Sequence, residues 1–419
     1  MDNPSIGHPE FLERAALDRE LTRVFEKCHD CRRCLPLCPS FPALFASIDR
    51  HEQEASELTT AERREVIDLC YQCKLCYNHC PYHPPHEWAI DFPKLMGRAK
   101  LVQAREEGIP LAERAGLNQD LIGPIACRTA ALTNPLMRFG PLRTVMEKAT
   151  GIDRRWPMPS YEPKPVSAQL RGARPNAGAE RRAVIFGTCF VEYSDAQAGR
   201  ASFEVLAHNG VDVEYVYPGC CGAPYLHGGD LDGARRAAES VTAALDVYAS
   251  QGIPIVVPGP TCSYQLKREY PELLGTDAAR RVAEHTSDVG EYLWRLRSEA
   301  SLKDDFTEPL GKIAYHLPCH LKAQNIGFRS RQLLRAAGAE VEMVDLCSGV
   351  DGTWGMKARW YEQSLAIAKR LTDRLAASDA AEVATDCPLS ALRIEERTGR
   401  RAVHPIVLLH RAYGLGTSA

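Results

Sequence analysis

The sequence contains no apolar run approaching the ~18–20 residues that a membrane-spanning helix requires. Its longest candidates, such as Ile253 to Val257, have the length of a buried strand. Membrane contact is therefore expected to be peripheral at most. The opening residues, MDNPSIGHPEFLERAALD, are polar and acidic and do not read as an export leader. This predicts a cytoplasmic protein and is compatible with attachment to the inner face of a membrane through a partner. A strong charge of either sign is also missing: 51 Lys and Arg stand against 54 Asp and Glu, for a net charge of -3. Nothing in that balance favours a nucleic-acid partner. No G-x-G-x-x-G follows any predicted strand, so the chain shows no flavin or nicotinamide fingerprint of its own.

What the chain has is cysteine, sixteen in 419 residues. A small secreted domain with that content would be read as a disulfide framework. Here no export leader is expected and the cysteine spacing is tight, which points to metal ligation or redox work. The length exceeds one ordinary core and implies several domains.

The first motif comprises Cys28, Cys31, Cys34 and Cys38, closed by Pro39. The second comprises Cys70, Cys73, Cys76 and Cys80, closed by Pro81. Both follow the C-x2-C-x2-C-x3-C-P pattern of two-cluster ferredoxins, in which the fourth cysteine ligates the other cluster. Two-residue gaps let three thiolates grip one face of a cubane, and the proline prevents helix continuation. This assigns Cys28, Cys31, Cys34 and Cys80 to one [4Fe–4S] cluster, and Cys70, Cys73, Cys76 and Cys38 to a second. The competing zinc reading calls for two separated C-x2-C pairs, a pattern these motifs do not have. The helical pattern between Cys38 and Cys70 suggests a helical ferredoxin module. His29, His79, His83 and His86 lie near the motifs and are expected to be hydrogen-bonding or surface residues rather than ligands.

Residues 87–150 read as helical segments broken by prolines, and 155–182 as a proline-rich linker or wrapping strap. Beyond that, short Val/Ile runs alternate with Ala/Leu/Arg helical stretches, the signature of α/β units on a mainly parallel sheet. This region repeats. AVIFGTCF, VDVEYVYPGCCG and IPIVVPGPTC correspond to KIAYHLPCH, AEVEMVDLCSG and AEVATDCP. The predicted architecture is a helical ferredoxin-like domain plus two repeated α/β cysteine-rich domains. Its parts are 1–110, with two clusters; 111–181, a helical connector and linker; 182–300, the first cysteine-rich domain; and 301–419, the second. In each copy three apparent strands run into a cysteine, and parallel sheets bind ligands beyond the carboxyl ends of their strands. Cys189, Cys220, Cys221 and Cys262 are thus expected to converge and can close a metal site, holding a third cluster. Cys319, Cys347 and Cys387 form a thinner set that holds a cluster, zinc or nothing, with His316 or His320 as candidate fourth ligands against an ordinary hydrogen-bonding role. Cys127 is expected to be a buried packing residue, and Asp351, Trp354 and Lys357 are candidates to line the second set.

Two ferredoxin motifs followed by two cysteine-rich repeats resemble the iron–sulfur subunit of anaerobic glycerol-3-phosphate dehydrogenase. They are similar also to the iron–sulfur subunit of glycolate oxidase and to heterodisulfide reductase subunits. The resemblance extends to PYHPPHEWAIDFPKLM, PGCCGAP, GPTCSYQLKREYP, HLPCH, the CSG…GTWGMK stretch, TDCPLSALRIE and HPIVLLHRAYG. It implies electron transfer from a flavoprotein dehydrogenase or other redox protein to an acceptor such as quinone or a thiol/disulfide. In that family each repeat carries a single cysteine, then CCG, then C-x2-C, and in heterodisulfide reductase the set holds a noncubane cluster. Here Gly259, Ser348 and Ser390 stand at three of those cysteine positions. Two further functions compete with the relay. Cys220 and Cys221 are catalytic if the site itself reduces a disulfide or persulfide. The repeats are docking domains if they hold structural zinc.

Overall fold

The computed structural model describes residues 4–110 and 118–416. The expected division between 110 and 111 abuts residues 111–117, which lie outside the described residues. Up to residue 181 the described chain is helical. Helices Arg14–Cys31, Ser40–Arg50, Thr60–Leu69, Leu75–His79 and Phe92–Glu107 surround a core of Leu17, Leu21, Phe25, Phe41, Phe45, Val66 and Leu95. The Phe41 and Phe92 rings lie 4.6 Å apart at its centre.

Helix ends place the cysteine loops. Arg14–Cys31 stops because Arg32 turns left-handed (φ 51°) and its N–H bonds back to the Cys28 carbonyl. Thr59 and Glu62 form a capping box that starts the helix leading to Cys70. In the second loop Gln72 and Lys74 both take positive φ, 59° and 64°, bending the chain between Cys70 and Cys76.

The connector helices Gln119–Arg128, Ala130–Leu136 and Gly140–Thr150 precede a strap that buries Trp156 and Tyr161. The remainder holds two four-stranded parallel sheets. In the first, β1 (Arg182–Phe186), β2 (Asp212–Val216), β3 (Ile255–Val257) and β4 (Thr286–Asp288) are ordered β2-β1-β3-β4. In the second, β5 (Lys312–His316), β6 (Glu340–Val344), β7 (Glu382–Thr385) and β8 (Ala402–Val403) are ordered β6-β5-β7-β8. Val184, Ile185, Val256, Ile313 and Ala384 are fully buried, as strands covered by helices on both faces require.

The halves trade helices. Val289–Ser298, which follows β4, packs on Arg329–Ala336 of the second half. Pro405–Ala412, which follows β8, returns onto Ala196–His208 of the first, where His410 pairs with Glu204. One hydrophobic core therefore runs from Val205 and Leu206 through Leu293 and Leu333 to Leu408. Strand order reverses between β1 and β3, and again between β5 and β7. The crevices beyond the carboxyl ends at those points are the binding positions of such sheets.

Candidate metal centres

Cys28 and Cys31 end the first long helix, and Cys34 follows in the loop. Together with Cys80 they line one cavity, closed by Phe41, Phe45, Tyr82 and Ile90. Burial pushes the Cys28 thiol well above its usual range, and the neighbouring Cys34, Cys80 and Cys31 push it further. Burial, then Cys80 and Cys31, push Cys34 up to about 12. Such thiols are protonated when free, and metal binding displaces their protons to solvent.

The second quartet is deeper. Burial raises Cys76, followed by Cys73, Cys70 and Cys38. Cys38 is raised by burial and then by Cys70. Gln72 Nε2 donates to Cys70 Sγ at 3.5 Å, and the Lys100 ammonium donates to the Cys70 carbonyl. Cys76 also feels Cys34, so the two quartets are neighbours. Cys28, Cys31, Cys34 and Cys80 thus line one cavity, and Cys38, Cys70 and Cys73 act on Cys76 beside it. Of the nearby histidines, His29 bonds Asp49 at 2.8 Å and His86 accepts from the Trp88 N–H at 3.1 Å.

In the first half Cys189 begins the helical turn after β1 and Cys262 lies within the one after β3, Pro260–Tyr264, so both flank the switch point. Cys221 and Cys262 sulfurs lie 3.2 Å apart. Cys220 is held well below its usual range because the Cys189 and Cys221 thiols hydrogen-bond to it. Gly259 cannot take a side chain freely, since a Cβ there would meet Thr188 Cγ2 at 3.0 Å. Asp120, from the connector, accepts the Cys220 N–H at 3.0 and 3.1 Å and the Tyr217 hydroxyl at 2.5 Å. Tyr270 donates to the Cys221 carbonyl at 3.0 Å. Sequence reasoning missed Asp120, because nothing local marks one aspartate on an amphipathic helix.

In the second half Cys319 follows β5, Cys347 lies beyond β6, and Cys387 caps the helix after β7. These three lie against the second ferredoxin quartet. Tyr71 Oη is 3.6 Å from Cys347 Sγ, and the Cys73 thiol is raised by burial, then Cys38, Asp351 and, less strongly, Cys347. The Trp354 ring lies 5.0 Å from that of Tyr71, tilted by 43°, and donates Nε1–H to the Asp68 carbonyl at 2.9 Å. Ser348 and Ser390, at two vacant cysteine positions, bond each other at 2.9 Å. That pair occupies the places that Cys221 and Cys262 hold in the first half. His316 contacts Thr385 Oγ1 at 2.9 Å and the Leu346 carbonyl at 3.1 Å. His320 contacts Thr261 Oγ1 at 2.9 Å and the Gln72 carbonyl at 3.1 Å. Both rings are fully engaged. Cys127 is buried against Tyr161 and Tyr193, in a small apolar cluster against which Cys189 also packs.

Residues 21–106 match the family described as citrate utilization protein B Fer4-like domain. Residues 183–267 and 313–394 each match the family described as cysteine-rich domain. A subunit of the anaerobic glycerol-3-phosphate dehydrogenase of Escherichia coli (strain K12) is 33% identical over 70% of this chain and 75% of its own length. The chain belongs to that subunit family. A subunit of the fumarate reductase (CoM/CoB) of Methanothermobacter marburgensis is 25% identical over 54% of the chain and 44% of its own length. Lactate utilization protein A of Bacillus licheniformis is 24% identical over 54% of the chain and 96% of its own length. These relationships place the chain among iron–sulfur subunits of oxidoreductases. No helix among the described residues is long and apolar enough to cross a membrane.

Proposed function

We propose that the chain is an electron-transfer subunit that carries two [4Fe–4S] clusters, on Cys28, Cys31, Cys34 and Cys80 and on Cys70, Cys73, Cys76 and Cys38. It relays electrons between a flavoprotein dehydrogenase and an acceptor, quinone or thiol/disulfide. The observation that carries this reading is the graded burial of the two quartets. The first loop is exposed at Arg32, Arg33, Leu35 and Pro36, whereas Cys70 and Cys76 are buried and the second quartet abuts Cys347. An exposed cluster is a port for a partner. A buried cluster beside a second thiol set is an internal step. The cysteine-rich halves would then hold further metal, on Cys189, Cys220, Cys221 and Cys262 and on Cys319, Cys347 and Cys387.

A contact with an anionic membrane surface fits the connector. Leu121, Ile125, Leu132, Leu136, Phe139 and Val145 are exposed there, Leu132 by 64%. The charged residues exposed between 121 and 149 are Arg128, Arg138 and Lys148. An apolar stripe with a basic rim is the pattern of a helix lying in a lipid interface. Liposomes containing anionic lipid should retain the protein and release Leu132→Glu/Val145→Glu.

The relay is tested by EPR of the dithionite-reduced protein. Cys80→Ser should alter the signal of the first cluster and Cys38→Ser that of the second, each across the motif boundary. Changes confined to the variant's own motif would overturn the interleaved assignment. A second reading, thiol chemistry at Cys220 and Cys221, is favoured by the 3.2 Å approach of Cys221 and Cys262. It fails if Cys221→Ser leaves disulfide reduction unchanged while the ferredoxin signals persist.

A further inference from the structure

The second cysteine-rich half has three thiols, and its two missing cysteines are not replaced in kind. Ser348 and Ser390 are buried and bonded to each other. His316 and His320 offer no lone pair either. In each ring Nε2 faces a carbonyl, which only accepts, so Nε2 carries the proton. Nδ1 is then the acceptor for a threonine hydroxyl. What is left is Asp351. Its side chain is 3% exposed and lies 3.7 Å from His320 Nε2, and its Oδ2 has no hydrogen-bond partner. An unpartnered carboxylate oxygen at that depth is costly to fold and signals a group that is missing.

We propose that Asp351 is the oxygen ligand completing an iron–sulfur cluster held by Cys319, Cys347 and Cys387. This rests on reading the second half as a cluster site.

Three further observations support the assignment. The Asp351 carboxylate and Cys319 Sγ lie, with His320, within 4.8 Å of one another, the one such convergence of three or more His, Cys, Asp or Glu ligand atoms among the described residues. Cys347 and Cys387 stand outside that group, so the three thiols span more than one ion can bridge. The same holds of the ferredoxin quartets. A multi-iron cluster suits that spacing better than zinc does. Secondly, Cys347 and Asp351 belong to one short loop, in which the Gly349 N–H between them donates to Cys347 Sγ at 3.3 Å. Thirdly, the loop is built to turn the carboxylate inward. Gly349 (φ 66°) and Gly352 (φ 47°) flank it, and a Cβ at Gly349 would meet the Ser364 carbonyl at 2.2 Å.

Binding displaces any carboxyl proton to solvent. A hard oxygen ligand makes one iron different from the three bound through sulfur. Asp351 itself lines the cavity at the junction of the three parts, together with Tyr71, Lys100, His227, Trp354 and Lys357.

The test is oxygen-free purification of the full chain, with iron and sulfide counted and oxidised and reduced EPR recorded. Wild type is compared with Asp351→Ala, Asp351→Cys and Cys347→Ser. The proposal expects Asp351→Ala to lose about one iron per chain and to gain a three-iron signal when oxidised. Asp351→Cys should keep the wild-type iron content with an altered spectrum, which also excludes misfolding as the cause. If Cys347→Ser loses a cluster while Asp351→Ala keeps wild-type iron and spectrum, a cluster is present and Asp351 is not its ligand. If Cys347→Ser also leaves iron unchanged, the second half holds no cluster and both readings fall.

Discussion

Lys74 lies inside the second cysteine loop, 7% exposed at its side chain, and pairs with Glu269 of the first half at 2.8 Å; Glu269 is 18% exposed. Its ammonium also donates to Gln72 Oε1 at 3.0 Å. Burial lowers the pKa of Lys74, but Glu269, Tyr264 and Asp91 more than reverse this, so Lys74 stays protonated throughout the working range. Lys74→Met keeps the stem and removes the charge, stranding Glu269. Removing one partner of a fully buried pair costs about 3–5 kcal/mol, and the partial exposure of Glu269 brings this to about 2–3 kcal/mol. Each 1.4 kcal/mol is about tenfold in an equilibrium, so the interface over the second quartet should open roughly 30- to 140-fold more often. The assay is the rate at which an iron chelator bleaches the clusters of the anaerobic protein. That rate should rise by the same factor, in the phase belonging to the second cluster. Lys74→Met/Glu269→Gln removes the stranded charge and should recover most of the loss. Bleaching of Lys74→Met within about threefold of wild type would refute the argument that this pair clamps the domains over the cluster.

His316 is held neutral, pushed down to about 4 chiefly by burial. Between that value and its unfolded pKa of about 6.5 the unfolded chain binds the extra proton. Stability is therefore complete above about pH 6.5 and falls by up to about 3 kcal/mol as pH drops toward 4. His316→Gln should flatten that part of a stability–pH profile measured by denaturant titration. Trp354→Phe removes the bond to the Asp68 carbonyl and should cost about 1 kcal/mol, read as a lower denaturation midpoint. Asp120→Ala strands the Cys220 N–H for about 1–3 kcal/mol and should speed metal loss from the first cysteine-rich half, measured by chelator challenge, while leaving the ferredoxin EPR intact.

The cysteine loops and the repeat were legible because both are local. Fixed spacing encodes a ligand loop, and Val/Ile runs ending in cysteine encode strands whose carboxyl ends carry the site. The fourth strand of each sheet was not. Thr286–Asp288 and Ala402–Val403 are too short, and the first too polar, to show a strand pattern, and only their pairing with β3 and β7 makes them strands. The exchange of helices between halves was hidden because an amphipathic helix does not declare which sheet it covers. The residues that finish the sites, Asp120 on Cys220 and Tyr71 on Cys347, act across 100 and 276 positions of sequence, where spacing carries no information. Asp351 and Trp354 were visible as candidates through their motif, and their partners only through the fold.

The central claim is that the two interleaved quartets hold iron–sulfur clusters. It is tested most directly by purifying the full chain without oxygen and measuring iron, zinc and acid-labile sulfide per chain. The account predicts at least about eight irons with matching sulfide and no zinc, and loss of about half of that ferredoxin iron on removing the Cys28, Cys31 and Cys34 thiols together. Zinc in place of iron, with no sulfide, would contradict it.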